Sequence, residues 1–302
     1  MRFLALFPIA CSICAIVLSF LVIFAGNKPN FMEGYDLLTL NVSRIGENLL
    51  NTTSSSSDSG ILGILKNATN QIEGDINGEL NSIASSLAQQ FGLKDFYSVH
   101  ILDYCEGSYV PGPVPNATLS SSHIHRNVSS CSNHTSMFTF DPRAALAQSI
   151  QDSGLGIDVN ETLDELNFPD QIENEIKALR VAWKAMFVLY CIGIGLSFLC
   201  LILSILGFFQ PDSGRLLPAI NFLMFLLALL TLGVASAIAT AIAEEGTDEI
   251  NKYGKEIGIS SSVGHKFLII TWIATGVMFL GSLVWCSGCM VPRKKPAVHK
   301  TG

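Results

Sequence analysis

Apolar residues are gathered into four long runs that are separated by polar segments of very different length. The runs cover residues 3–25, 185–209, 216–243 and 267–291, and none of them contains a charged side chain or a histidine. Since about 20 apolar residues suffice to cross the hydrocarbon core of a bilayer, each run predicts a membrane-spanning helix. The pattern therefore predicts a polytopic membrane protein.

The first run is long for a cleaved secretory signal. Arg2 precedes it, and the small residues Ala25 and Gly26 follow it, as they would in a signal peptide. Its apolar core nevertheless exceeds the roughly 7–15 residues of a signal h-region. We therefore favour a retained span. Whether or not this run is cleaved, the segment after Gly26 lies on the far side of the membrane.

The polar segments between the runs set the domain organisation. We predict a membrane α-helical fold, in which a four-helix transmembrane bundle carries a small α+β extracellular domain. The predicted segments are transmembrane helices at 1–25, 183–209, 216–243 and 267–291, a large extracellular loop domain at 26–182, a cytoplasmic turn at 210–215, a second extracellular loop at 244–266 and a short cytoplasmic tail at 292–302.

Acceptor sequences of the form Asn-x-Ser/Thr place the large polar segment outside the cell. A single such sequence is weak evidence for N-glycosylation, but all of those in this chain fall between residues 26 and 182, which is much stronger evidence. The predicted glycosylation sites are Asn41, Asn51, Asn67, Asn116, Asn127, Asn133 and Asn160. With this orientation, both termini are predicted to be cytoplasmic.

The charge balance limits the class of partner. Between residues 26 and 182, 19 acidic residues stand against 8 basic residues, which leaves a net charge of −11. An acidic surface repels polyanions, so we expect no nucleic-acid partner.

Within the large segment, apolar spacing predicts several local elements. Apolar residues recur every three or four positions over 61–91, which indicates an amphipathic helix. Before it, we predict a short strand at 31–35 and a helix at 36–50. After it, alternating apolar and polar residues over 96–105 predict a single β-strand that ends at Cys105.

The second half of this segment leads towards the second span. Residues 137–140 are a further strand candidate, and Asp141 and Pro142 occupy the favoured cap and first positions of a short helix. From residue 170 onward, helical spacing continues into the second span, which predicts a projecting stalk. Trp183 then falls near the membrane interface, where amphipathic rings are enriched.

Two cysteines of the large segment are predicted to form a disulfide. Cys105 and Cys131 are the only cysteines in it, and thiols outside the cell are oxidised. The intervening residues 106–130 are rich in Pro, Gly, Ser and Asn and contain too few apolar residues for a core, so a covalent bond is needed to hold them. An alternative is a metal site, whose ligands would be Cys131, His134, His123 and His125.

The residues before the first of these cysteines carry a family resemblance. The motif consists of Tyr97, Ser98, Val99, His100, Ile101, Leu102, Tyr104 and Cys105, followed at a distance by Cys131. It resembles the extracellular cysteine motif of the fungal SUR/PalI family of claudin-like four-span proteins. That family usually has Gly-Leu-Trp where this chain has His100, Ile101 and Leu102, so the apolar middle and end positions are kept and the glycine and tryptophan are lost.

The resemblance implies a function. We expect a non-enzymatic organiser of cortical, eisosome-type domains in the fungal plasma membrane, linked to the cell wall, endocytosis or morphogenesis. The expected partners are membrane lipids, further copies of the chain or other cortical membrane proteins, and cell-wall components. The alternatives are an ambient-pH signalling subunit, as in the PalI branch, and a channel or calcium-influx regulator.

The sequence offers little for chemistry. Pumps and ion-coupled transporters usually need ionisable groups within their spans, and these spans have none. We find no nucleophile elbow, phosphate-binding loop or HExxH motif, and we predict no enzyme activity and no cofactor. Cys286 and Cys289 precede a basic cluster at the end of the fourth span, where S-palmitoylation and a structural role are about equally expected.

Overall fold

The structure, a computed structural model, describes residues 2–29, 31–44, 93–112, 114, 120, 123–152, 171–210, 216–254 and 258–290. The helix predicted at 61–91 lies outside these residues. The same is true of the cytoplasmic tail at 292–302, of nearly all of the turn at 210–215, and of the sequons at Asn51, Asn67, Asn116 and Asn160.

The described chain contains helices and strands in an order that brackets a small sheet between long helices. In chain order they are α1 (Arg2–Ile23), β1 (Leu38–Asn41), β2 (Phe96–Val99), β3 (Tyr104–Val110), β4 (His125–Cys131), α2 (Pro142–Asp152), α3 (Gln171–Phe209), α4 (Leu216–Gly254), β5 (Ser260–Val263) and α5 (His265–Met290).

Four of these helices, α1, α3, α4 and α5, are long and apolar enough to cross a membrane, as predicted. At 1.5 Å per residue, the 39 residues of α3 and of α4 extend over about 58 Å, whereas a hydrocarbon core is about 30 Å thick. The stalk predicted before the second span is thus present, since α3 begins at Gln171.

The segment predicted as the second extracellular loop contains regular structure. Helix α4 does not stop near residue 243 but continues to Gly254, and β5 follows before α5 begins. After the apolar run, Glu244, Glu245 and Glu249 favour helix, so the helix continues beyond the hydrophobic pattern.

The described residues divide into two compact units. The bundle unit comprises Met1–Leu21, Val188–Ser236 and Ile269–Gly302, and the sheet unit comprises Val22–Phe187 and Ala237–Leu268. In the bundle unit, Gly193 lies against Leu232, where an added Cβ would come within 2.5 Å of the leucine side chain. This small residue therefore serves close packing between α3 and α4 of one chain.

Polar side chains inside the bundle unit find partners on neighbouring helices. The Ser236 hydroxyl donates to the Thr271 carbonyl at 3.3 Å, and Tyr190 lies 3.4 Å from the same hydroxyl. The Asn221 amide donates to the Leu203 carbonyl at 3.3 Å. Because lipid offers no hydrogen-bond partners, these contacts fix the helices to one another.

The sheet unit is built on an antiparallel sheet with strand order β4-β3-β2-β1-β5. Strand β1 is paired on both sides, with Leu40 opposite Tyr97 of β2 and opposite Ser261 of β5. Every residue of β2 is buried, so the centre of the sheet is covered on both faces. Both loops between the spans therefore contribute to one sheet.

Several predicted strands are wrong in their details. The strand predicted at 96–105 is two strands, because the chain turns after Val99 and Cys105 belongs to β3. The helix predicted at 36–50 is replaced at its start by β1, since pairing with two neighbours outweighs local helical preference. No strand forms at 31–35 or 137–140.

The segment 106–130, which has too few apolar residues for a core, contains most of β3 and β4. Strand β4 is an edge strand, and most of its residues are exposed, so it needs no apolar alternation. Its backbone pairing with β3 runs from Cys131 opposite Cys105 to His125 opposite Val110.

Helix α2 starts as the sequence predicts. The Asp141 carboxylate accepts the Ala144 N–H at 3.2 Å, which is the expected cap, and Pro142 is the first helical residue. The helix packs on the sheet through Ser149, whose hydroxyl lies 2.7 Å from the Tyr97 hydroxyl.

Candidate functional site

The family motif forms a tight turn between β2 and β3. Val99 and Tyr104 are paired across it, and the His100 N–H donates to the Asp103 carbonyl at 2.9 Å. Ile101 and Leu102, the two apolar positions that the motif keeps, are buried. We call residues 100–103 the motif turn.

A disulfide joins Cys105 and Cys131 next to this turn, as the sequence predicts. The two residues are direct partners in the β3–β4 register, so the covalent bond reinforces a backbone pairing. The Cys105 sulfur is fully buried and lies 3.2 Å from the Gly26 carbonyl oxygen. The disulfide thus joins β3 to the edge strand β4 and packs against the segment that follows α1.

Gly26 and His100 are in close contact. Gly26 has a φ of +80°, and a Cβ on it would lie 2.3 Å from the His100 ring. The imidazole is therefore accommodated only because residue 26 has no side chain. Gly26 thus contacts position 100, where the family usually has a glycine and this chain has a histidine.

Burial of His100 disfavours its charged form. The residue is 1 % exposed, and neither ring nitrogen makes a well-formed hydrogen bond. Desolvation lowers the pKa of His100 to about 4, against the opposing influence of the nearby Asp36 carboxylate. His100 is accordingly neutral near pH 7.

Asp103 faces His134 on the other side of the turn. The Asp103 side chain is fully buried, and its Oδ2 lies 3.0 Å from Nε2 of His134, which is 33 % exposed. Burial raises the pKa of Asp103 to about 6, although the neighbouring His134 acts to lower it. The pair therefore holds a buried carboxyl that titrates in mild acid against a partly exposed histidine.

The motif turn does not have a metal-ligand set. Ligand atoms of His100, Asp103 and Cys105 lie within 4.8 Å of one another, but the Cys105 sulfur is in the disulfide and offers no thiolate. The disulfide also takes up Cys131, on which the alternative metal site of the sequence depended. His123 and His125 are exposed.

A second polar network, close to the motif turn, joins the edge strand β4 to the segment before β1. Arg126 of β4 donates to Oδ1 of the buried Asp36 at 3.2 Å and lies over the Phe96 ring, 5.6 Å from its centroid. The Thr39 hydroxyl donates to the other oxygen of Asp36. This network ties the edge strand to the start of β1, and sequence reasoning did not identify it.

Trp183, which the sequence places near the membrane interface, packs within the sheet unit and contacts the motif turn. The ring is 1 % exposed, and its Nε1 donates to the Ile101 carbonyl at 3.2 Å. Helix α3 thus contributes an indole that holds the motif turn. The family tryptophan is replaced in the motif itself by Leu102, and Trp183 supplies an indole from elsewhere in the chain.

The remaining motif residues support the turn from the sheet. The Ser98 hydroxyl donates to the Cys105 carbonyl at 3.3 Å. The Tyr104 ring packs against Phe140 with ring centroids 5.9 Å apart, and Phe140 follows the disulfide in sequence. The sequence motif is therefore a packing motif.

Three predicted glycosylation sites lie among the described residues. Asn127 and Asn133 are exposed. Asn41 is half-buried in β1, and its amide donates to the Val114 carbonyl at 2.7 Å. Glycosylation at these positions, and lipidation at Cys286 and Cys289, stay predictions. The Cys286 side chain is half-buried.

The two buried titrating groups predict a specific pH dependence. His100 has a folded pKa of about 4, below its ordinary 6.5, so its contribution to stability rises with pH across that window. Asp103 has a folded pKa of about 6, above its ordinary 3.8, so its contribution falls as pH rises through that window. The two slopes oppose each other between about pH 4 and pH 6. We expect Asp103→Asn to unmask the His100 slope, so that the melting temperature climbs more steeply with pH than in the parent.

The measurement is thermal unfolding of the purified protein from pH 4 to pH 7. Ser98→Ala serves as a control, because Ser98 is buried beside the same turn and does not titrate. It should shift the whole curve without changing its slope. Parallel curves for the parent and Asp103→Asn would contradict the assignment.

Comparison with known proteins places this chain among fungal membrane proteins. The model of the SUR7/PalI family matches residues 4–284. Protein PUN1 of Saccharomyces cerevisiae is 23% identical over 72% of this chain and 75% of its own length. The SUR7 family protein pun1 of Schizosaccharomyces pombe is 23% identical over 68% of this chain and 63% of its own length. No solved structure matches. With the family model matching from the first span into the fourth and including the disulfide-linked turn, the chain belongs to the SUR7/PalI family.

Proposed function

We propose that this protein is a non-enzymatic organiser of cortical, eisosome-type domains in the fungal plasma membrane. Membership of the SUR7/PalI family, whose proteins are membrane structural proteins, is the observation that carries the proposal. The four apolar helices and the fungal relatives support it. The role links membrane patterning to the cell wall, endocytosis or morphogenesis.

The architecture supports a mechanical role for the sheet unit. Its motif turn is held by the adjacent disulfide and by the Trp183 indole, and its sheet pairs strands from two different loops. A unit fixed in this way can keep its shape while the spans associate laterally with lipids, with further copies of the chain or with other cortical proteins. In the orientation that the sequons predict, the sheet unit faces the cell wall.

Fluorescent tagging in a fungal host tests this role. We expect the tagged protein to form stable patches at the cell cortex, with slow fluorescence recovery after bleaching. An unrelated four-span plasma-membrane protein with the same tag is the control and should be diffuse. A diffuse distribution of both proteins would contradict an organising role.

Endoglycosidase treatment tests the orientation separately. We expect it to increase electrophoretic mobility, since Asn127 and Asn133 are exposed on the sheet unit. The variant with both asparagines changed to glutamine should lose part of that shift. Unchanged mobility of the parent, together with protection of the sheet unit from protease added to intact cells, would contradict the orientation.

A second candidate is an ambient-pH signalling subunit. The Asp103–His134 pair favours it, because a buried carboxyl with a pKa of about 6 changes its charge in mild acid. Loss of the alkaline growth response on deletion, with a diffuse tagged protein, would support this candidate over the first. No contact among the described residues favours the third expectation, a channel or calcium-influx regulator.

A further inference from the structure

A cavity of about 360 Å³ lies within the sheet unit. It is bounded by residues 178–183 of α3, by residues 241–250 of α4, and by Leu38, Phe140 and Pro142. This volume is within the range of about 300–1,000 Å³ that is usual for small-molecule sites. The cavity contains no residue of the motif turn. Trp183 lines the cavity and also donates a hydrogen bond to Ile101 of the turn.

The lining of the cavity is almost wholly apolar. Leu179, Trp183 and Ile242 provide large apolar side chains. The charged lining residues are two carboxylates, Glu245 and Glu249, and no basic side chain lines the cavity. Because they are four residues apart on α4, the two carboxylates lie on the same face of the helix.

The cavity passes from an apolar end to an acidic end along α4. Ala241 and Ile242 belong to the predicted third span, whereas Glu245 and Glu249 come one and two turns later. At 1.5 Å per residue, Glu249 lies about 10 Å along the helix from Ile242. A ligand that follows this axis would have its apolar part at the level of the span and its polar head beyond it.

The charge at the acidic end is only partly balanced. Lys252 lies 3.4 Å from Glu249, and this ion pair is exposed. Glu245 is also exposed, and no ion pair or hydrogen bond involves its carboxylate among the described residues. A phosphate head would meet a carboxylate without a compensating base, whereas an ammonium head would find a counter-charge.

We propose that this cavity binds a membrane amphiphile with a long apolar chain and a protonated amine as its head. The chain lies against Trp183, Leu179 and Ile242, and the ammonium group lies at Glu245 and Glu249. The site is independent of the cortical role proposed above, since amine binding can be measured on the purified protein.

Tryptophan quenching tests the proposal on the full chain. The protein has three tryptophans, so Trp272→Phe with Trp285→Phe leaves Trp183 as the only reporter. This protein is placed in phosphatidylcholine nanodiscs, and a brominated long-chain amine is compared with the brominated alcohol of the same length. We expect half-maximal quenching by the amine at a mole fraction roughly three- to fivefold lower, which is the preference expected for an exposed ion pair.

Paired variants separate the site from general charge effects. Glu245→Gln with Glu249→Gln should abolish the preference for the amine. Glu244→Gln with Asp248→Asn removes the same charge from the same turns of α4 without touching the cavity lining, and it should keep the preference. Equal loss in both pairs, or equal quenching by amine and alcohol in the parent, would overturn the proposal.

A second measurement uses the parent protein with all its tryptophans. A diazirine-bearing long-chain amine should crosslink to peptides that contain residues 178–183 or 241–250. If another part of the chain or a second copy covers the cavity, neither probe will quench Trp183 and no such crosslink will form, which would also overturn the proposal.

Discussion

The Gly264→Ala variant should destabilise the sheet unit by more than about 4 kcal/mol, the range of the most damaging single substitutions. An added Cβ would lie 1.6 Å from the Asp36 carbonyl oxygen and 2.9 Å from that of Leu37. Both are backbone atoms, so no side-chain rotation can relieve the clash. The Gly264 N–H also donates to the Leu37 carbonyl at 3.0 Å, where β5 leads into α5. Thermal unfolding in detergent measures the loss.

Gly34→Ala is the matched control for this variant. Gly34 is an exposed glycine in the same unit, and its added Cβ would approach only the flexible Lys266 side chain, at 3.5 Å. Its effect should stay within about 0.5 kcal/mol, as is usual for surface substitutions. Equal melting temperatures for the two variants would show that the β5–α5 junction is not closely packed against β1.

Removing the disulfide should cost roughly 3–4 kcal/mol in the chain-entropy model, because the bond closes a loop with a sequence separation of 26. The variant carries Cys105→Ala and Cys131→Ala. We expect the loss to fall first on β4, which is an edge strand paired only with β3 among the described strands. Thermal unfolding and limited proteolysis both report it.

Chemical reduction is the control for the cysteine variant. A reducing agent should lower the melting temperature of the parent to that of the double variant and leave the double variant unchanged. If the reduced parent melts like the oxidised protein, β4 is held by its backbone pairing alone and the disulfide contributes little.

The spans could be predicted from the sequence because membrane hydropathy is a local property. The length and composition of each apolar run are enough to predict a spanning helix, and the four helices α1, α3, α4 and α5 agree with that prediction. The end of α4 could not be found in this way. Helix propensity and packing in the sheet unit, not hydropathy, carry it on to Gly254.

The sheet was harder to predict because its pairings join distant parts of the chain. Strand β1 has apolar and polar residues that fit a helix as well as a strand, and only its pairing with β2 and β5 decides between them. Strand β4 has almost no apolar signal, since its side chains face solvent. The pairing partners are not encoded in either segment alone.

The candidate site was partly predictable. Cysteine count and compartment were enough for the Cys105–Cys131 bond. The fit of His100 against Gly26 depends on a contact between distant segments, and so does the hydrogen bond from the Trp183 indole to the Ile101 carbonyl. The one available signal for the Asp103–His134 pair was an acidic residue, Asp103, inside the apolar stretch 96–105 that was predicted as a strand.

The pairing of β1 with β5 has a consequence for biosynthesis. The Ser261 hydroxyl of β5 donates to the Thr39 carbonyl of β1, a contact between residues that are 222 positions apart. A ribosome therefore finishes β1 long before it makes β5, and one side of the nascent sheet has no partner strand during that interval. Open strand sides are templates for association with other polypeptides, so chaperones of the secretory pathway have a natural target here. A message truncated before codon 260 would leave that side open permanently.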